Sequence, residues 1–175
     1  MTKIMQQPTS GGVPARFLAT APQPLDRAFN RAVHHIASKL LPNGWDVSDT
    51  APSSLAELKA HYATTGRICV WSGGSDYTIF ADRETNYAFR AWHDYHHLIG
   101  DHEFTPDGER AVEAEQWSDI WQLYGPGHNH WADILHAEIG GQGEYERANG
   151  TFPADQMAFV RAYLADPVSA LTREF

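Results

Sequence analysis

Three successive helix-like stretches in the second half of the chain set ionisable side chains among their apolar positions. The first, Phe89 to Leu98, holds His93, Asp94, His96 and His97. At about 3.6 residues per turn, His93 and His97 lie one above the other and Asp94 faces His97 at i+3. The second carries Glu109, Glu113 and Gln116 at i, i+4 and i+7, beside Val112 and Ile120. The third carries Asp133 and His136 at i+3, with Glu138 and Gln142 on a neighbouring strip. Burying such groups is costly unless they pair or bind metal. Surface decoration explains three repeats of this pattern poorly. A helix bundle that gathers the residues at its centre around a cation explains it better.

The rest of the chain supports that architecture. At 175 residues it fits one domain with a substantial core, and 42% hydrophobic and 12% aromatic residues suit a folded globule. The formal net charge of −9 opposes binding to duplex nucleic acid, while a small anion such as a nucleotide can still meet a local cation. The single cysteine, Cys69, excludes an intrachain disulfide framework and fits a reducing cytoplasm. There is no secretory signal pattern and no apolar run long enough to span a bilayer. The expected address is therefore the cytosol, with no membrane partner.

Residues 1–23 show no period and read as a flexible or extended arm, laid across the body by Phe17 and Leu18. Residues 24–175 read as one helical domain. A helix from Leu25 carries the stripe Phe29, Val33, Ile36, Ala37 and Leu40 and stops before Pro42-Asn43-Gly44. A second runs from Ser54 to Thr64, capped by Ser53 or Ser54 and stopped by Gly66. Arg67–Trp71 and Tyr77–Phe80 are β-rich and flank Ser72-Gly73-Gly74-Ser75-Asp76, which predicts a hairpin. Asp82 caps the histidine helix, which ends at Gly100. Thr105-Pro106 opens the next, which ends at Gly125-Pro126-Gly127. Another runs from Asn129 to Ala148. The last carries Met157, Val160, Tyr163 and Leu164 and stops at Asp166-Pro167. The fold class is mostly α, a single-domain helical bundle with a small β-hairpin.

Candidate metal ligands are His93, Asp94, His97, Glu109, Glu113 and His136, with His97 and Glu113 as candidate proton carriers. Imidazole and carboxylate are ligands of zinc, manganese and iron, and carboxylate also of magnesium. Glu109 equally fits a first-turn residue complementing the helix dipole. Gly140 and Gly143 imply close approach to the face of His136, by a helix or by a ligand. His96 points outward on this projection. His34, His35, His61, His128 and His130 read as surface or loop residues. Trp92, Trp117, Trp121 and Trp131 read as core packing.

His93-Asp94-Tyr95-His96-His97 resembles the HDxxH signature of the HD superfamily of metal-dependent phosphohydrolases. That resemblance implies a helical fold, with His93 and Asp94 as ligands and His97 facing phosphate or a second metal. It further implies an earlier histidine (His61, His34 or His35) and a later aspartate (Asp119 or Asp133). Two departures stand out: the expected hairpin separates His61 from the pair, and no later aspartate is singled out. The runs Phe89–Asp94, Phe104–Gln116, His136–Ile139 and Phe152–Gln156 also resemble a group of small phage and bacterial proteins. That suggests a bacterial or phage-infected host cytosol and implies no reaction.

Three functions compete at this level. The leading one is a metal-dependent hydrolase of a phosphate ester or nucleotide, with Trp92 or Tyr95 stacking on a base. The second is an oxidative enzyme with one or two irons, held by Asp94-x-x-His97 and Asp133-x-x-His136 and bridged by Glu109 or Glu113. The third is a non-catalytic, phage-type binding protein with a structural metal and an acidic docking surface.

Overall fold

A computed structural model describes residues 22–175. The arm expected at the N-terminus, with Phe17 and Leu18, lies almost wholly outside the described residues. The first helix, α1 (Arg27–Leu40), begins where Asp26 accepts hydrogen bonds from the backbone N–H groups of Ala28 and Phe29 at 2.6 and 3.0 Å. Its buried stripe is Phe29, Ala32, Val33, Ile36 and Ala37.

Strand β1 (Trp45–Ser48), helix α2 (Leu55–Thr65) and strand β2 (Ile68–Trp71) form a crossover unit. The strands pair in parallel, with Trp45 opposite Ile68 and Ser48 opposite Trp71. A parallel pair needs such a crossover, which α2 supplies. The small two-stranded sheet is present, but its pairing corrects the expected hairpin. Tyr77–Phe80 forms turns, because its polar groups are taken elsewhere. Leu25 N–H donates to Ile79 O at 2.8 Å, Met157 N–H to Tyr77 O at 2.9 Å, and Asn30 Nδ2 to Phe80 O at 2.9 Å. Ile79 and Phe80 are β-prone in sequence because they are core residues, both buried beneath α1 and α3.

Helix α3 (Arg83–Gly100) is capped by Asp82 and closed by Asp101 in the left-handed region, φ 57°. Helix α4 (Pro106–Tyr124) opens on Thr105, whose hydroxyl accepts from Gly108 N–H. Its buried positions, Gly108, Val112, Gln116 and Ile120, recur every four residues. Trp121 lies beyond that stripe and is 55% exposed, so it is not core as expected; Trp117 packs half-buried at the core's edge.

The single helix expected after Gly127 follows one path in three pieces: α5 (Asn129–His136), a π turn over Ala137–Gly141, and α6 (Gln142–Asn149). A Cβ on Gly140 would come within 2.9 Å of the His136 ring, and one on Gly141 within 3.1 Å of Tyr163. The glycine pair lets the turn pass close to both rings. Helix α7 (Gln156–Ala165), capped by Asp155, and the short α8 (Pro167–Ala170) close the chain. Leu164, expected in the α7 stripe, is 40% exposed.

The main core joins α1, α3, α4, α5 and α7 around Phe29, Ile79, Phe80, Trp92, Leu135 and Phe159. Each such side chain contributes roughly 1.5–3 kcal/mol on burial. A smaller cluster of Leu58, Ile68, Val70, Tyr87 and Ala91 seats the sheet and α2 on α3. Helix α3 is therefore packed on several sides, which fixes its histidines. No helix among the described residues is long and apolar enough to cross a membrane.

Candidate metal centre

His93 and His97 stand one turn apart on α3, and their Nε2 atoms lie 3.0 Å from each other. Glu109, in the first turn of α4, brings Oε2 to 3.0 Å from His93 Nε2 and Oε1 to 3.3 Å from His97 Nε2. Among the described residues this is the one group of three histidine, cysteine or acidic side chains whose ligand atoms converge. For bonds of about 2.0–2.1 Å, the edges of a tetrahedral site are about 3.3 Å. The two imidazole nitrogens stand close to such an edge, and a single ligand atom from each of the three residues lies within 4.8 Å of the other two.

The rings are held by their other nitrogens. His97 Nδ1–H donates to the backbone carbonyl of His102 at 2.9 Å, and His93 Nδ1–H donates to Gln116 Oε1 at 3.0 Å. Gln116 is fully buried, and Phe104 packs edge-on to His97 at a ring-centroid distance of 4.4 Å. With both Nδ1 hydrogens committed, both Nε2 atoms present lone pairs to the same point. Two facing acceptors at 3.0 Å repel unless a positive charge lies between them, either a proton or a metal cation. This is the outer-shell arrangement that orients metal-binding imidazoles.

The electrostatics agree. Burial disfavours charge on His93, but the Glu109 carboxylate and the bond to Gln116 outweigh it and raise the pKa above the usual imidazole value. Burial also raises Glu109, yet the two imidazoles overcome it and bring the pKa down to about 2. Asp94 follows the first ligand in sequence, and its charge is felt by His93, His97, Glu109 and Arg90. Burial lifts its carboxyl to about 6 against the pull of the two histidines.

The group opens on a cleft of about 1100 Å³, which Asp94 also lines. Trp71, Tyr77 and Phe152 are exposed at its wall, between 52% and 67%. Six carboxyl side chains line it (Asp49, Asp76, Asp94, Glu109, Glu138 and Glu146) against two arginines, Arg90 and Arg147. Arg90 is committed to the loop after β2, donating to the carbonyls of Trp71, Gly73 and Gly74 at 2.5–3.3 Å.

The six residues expected as ligands divide. His93, His97 and Glu109 converge, with Asp94 beside them. Glu113 and His136 form a separate pair, Oε1 to Nδ1 at 3.0 Å, next to a smaller hollow of about 350 Å³. His136 Nε2 lies 3.4 Å from the Tyr163 hydroxyl, which donates to Glu144 at 3.0 Å.

Of the residues suggested by the HD resemblance, His93 and His97 belong to the three-donor group, while the candidates for the earlier histidine and the later aspartate stand outside it. His34 Nε2 meets Thr85 Oγ1 at 2.9 Å, His35 Nδ1 meets the Tyr124 hydroxyl at 2.7 Å, and His61 Nε2 is buried without a hydrogen-bond partner. Asp133 is exposed on α5. Asp119 accepts from Trp92 Nε1 at 2.8 Å and contacts His96.

His96 corrects the expectation of an outward side chain. It is 5% exposed, with Nδ1 at 2.8 Å from Glu115 and Nε2 at 2.7 Å from Asp119. On the helical projection it lies nearer His93 than the eye suggests, so α4 covers it too. Glu138, placed by the sequence on the third stretch but not among the candidate ligands, also lines the cleft. A projection at 3.6 residues per turn misplaces any residue inside a π turn, and the pair Gly140-Gly141 was the available signal. No family model, curated protein or solved structure matches this chain.

Proposed function

We propose that this chain is a metal-dependent hydrolase in which His93, His97 and Glu109 hold one divalent cation. The observation that carries this reading is the 3.0 Å approach of the two Nε2 atoms with both Nδ1 hydrogens already spent. Two imidazoles and a carboxylate leave a coordination position free, as in hydrolytic zinc sites. A bound divalent cation polarises a substrate oxygen and lowers the pKa of water toward neutrality.

The chain's own residues supply the rest. Glu109 and the two histidines fix the site, Gln116 and the His102 carbonyl fix the rings, and Asp94 accepts the proton of the attacking water. Trp71, Tyr77 and Phe152 offer the substrate apolar contact. The lining favours a neutral carboxylic ester or amide, since even without Glu138 its five other acidic side chains outnumber its two arginines and disfavour a phosphate ester or nucleotide.

The same donor set serves non-haem iron oxygenases, which keeps the oxidative function as the second reading. Hydrolysis leads because Asp94 adjoins the ligands as a proton acceptor, a group that oxygen activation does not need. The test loads metal-free protein with zinc and assays p-nitrophenyl acetate and p-nitrophenyl phosphate beside Asp94→Asn. Cleavage of the acetate that is lost in Asp94→Asn supports the proposal. Iron in the purified protein, with no zinc-supported cleavage, favours oxidation.

A further inference from the structure

Glu138 lines the same cleft as the metal group but is not among its three converging donors. It is the second residue of the π turn, Ala137–Gly141. Such turns are rare, and they occur frequently at functional sites. Glu138 Oε2 is closed off from water and has no hydrogen-bond partner. The nearby charged group that acts on it is Arg90, whose guanidinium is already donating to three loop carbonyls. Gln142, one turn on, adds a polar contact. Burial outweighs both and pushes the carboxyl up to about 8. A buried carboxylate with a bare oxygen is costly, whereas a neutral carboxyl in the same place has a hydrogen to give.

The geometry points to Glu138 as the proton donor of this cleft, a neutral carboxyl that hands its hydrogen to the leaving atom of a bound ester or amide. This rests on the hydrolase reading above. In the step, the water oxygen bonds to the carbonyl carbon while Asp94 takes one proton from that water. The bond from carbon to the leaving nitrogen or oxygen breaks, the leaving atom keeping the electron pair, and Glu138 supplies the proton it needs. Glu138 then regains a proton from solvent and Asp94 releases one. The products are a carboxylic acid and an amine or alcohol, and no electrons are exchanged.

Two measurements decide it. The first is the infrared difference spectrum between wild type and Glu138→Gln at neutral pH. We expect the carbonyl stretch of a protonated carboxylic acid in wild type, absent from the variant. Its absence from wild type overturns the inference, whatever the metal site does. The second compares zinc-loaded proteins on p-nitrophenyl acetate, whose leaving group departs without a proton, and on acetyl p-nitroanilide, whose nitrogen needs one. General acid catalysis contributes roughly 100-fold or more. Glu138→Gln should therefore lower kcat for the anilide at least tenfold more than kcat for the ester. Equal losses on both substrates indicate a structural role and overturn the inference. Failure of zinc-loaded wild type to cleave either substrate overturns the hydrolase reading, and the proton-donor role with it. A zinc-binding assay on the same samples shows whether the metal site itself survives that outcome.

Discussion

His93 Nε2 and His97 Nε2 face each other at 3.0 Å, and neither ring can turn away without breaking the bond its Nδ1 makes to Gln116 or to the His102 carbonyl. Two lone pairs in that position require a shared positive charge. The consequences extend to stability, to the outer shell and to pH.

Cation binding should stabilise the fold. A ligand at 100 times its Kd adds about 2.7 kcal/mol to the native state. For a chain of this size that is a rise in Tm of roughly 5–10 °C. Calorimetry before and after chelation should show the fall, and re-addition of zinc should reverse it. Chelation should leave the Tm of His97→Ala unmoved.

Gln116 touches no substrate and supplies no ligand, yet it holds the His93 ring. Gln116→Leu keeps the volume and removes the acceptor for Nδ1–H. Loss of such an outer-shell partner typically weakens metal binding about 10–100-fold. Competition with a zinc chelator measures this. An unchanged affinity would show that the His93 orientation is set by packing alone.

The bracket around His96 is predicted to be structural. Its two ring nitrogens tie α3 to Glu115 and Asp119 of α4. His96→Ala leaves two carboxylates without that partner, and losses of this kind cost about 2–4 kcal/mol. Urea unfolding should show the loss, while zinc stoichiometry stays at the wild-type value.

Glu138 makes stability depend on pH in a definite direction. Its native carboxyl keeps a proton up to about 8, while the unfolded value is 4.5. Between those values the native state binds more protons than the unfolded state, so stability falls as pH rises through this window. Glu138→Gln has no such proton to lose. Its unfolding free energy should exceed that of wild type above about pH 8, by an amount on the order of 2–3 kcal/mol once partial solvent access is allowed for, and its Tm should be higher accordingly. The difference should shrink toward zero near pH 4.5. A gap that is constant with pH would show that Glu138 titrates normally.

The helices were largely legible because each announces itself locally. Asp82 before α3, and Thr105-Pro106 before α4, are capping chemistry that needs no tertiary context, and the α1 stripe follows from its period alone. The meeting of His93, His97 and Glu109 was legible for the same reason. Two ligands share one turn of helix, and the third opens the next helix after a short connection.

What escaped depended on partners distant in sequence. Tyr77–Phe80 has strand-like residues, but α1 and α7 claim its backbone and the core claims its side chains. Trp45–Ser48 then becomes the partner of β2 through α2. His96 was misplaced because helix α3 is covered on more than one side, which its own amphipathicity does not show. Glu113 and His136 did meet, but with each other. The π turn rotates everything after Ala137 away from the ideal projection, so the cleft-facing position of Glu138 could not be read from it.

The most direct measurement is calorimetric titration of metal-free protein with zinc, for wild type and for Glu109→Ala. We predict one equivalent bound by wild type, with proton release, and binding at least tenfold weaker or absent in the variant. Equal uptake by both proteins would contradict the assignment of His93, His97 and Glu109 as the ligands.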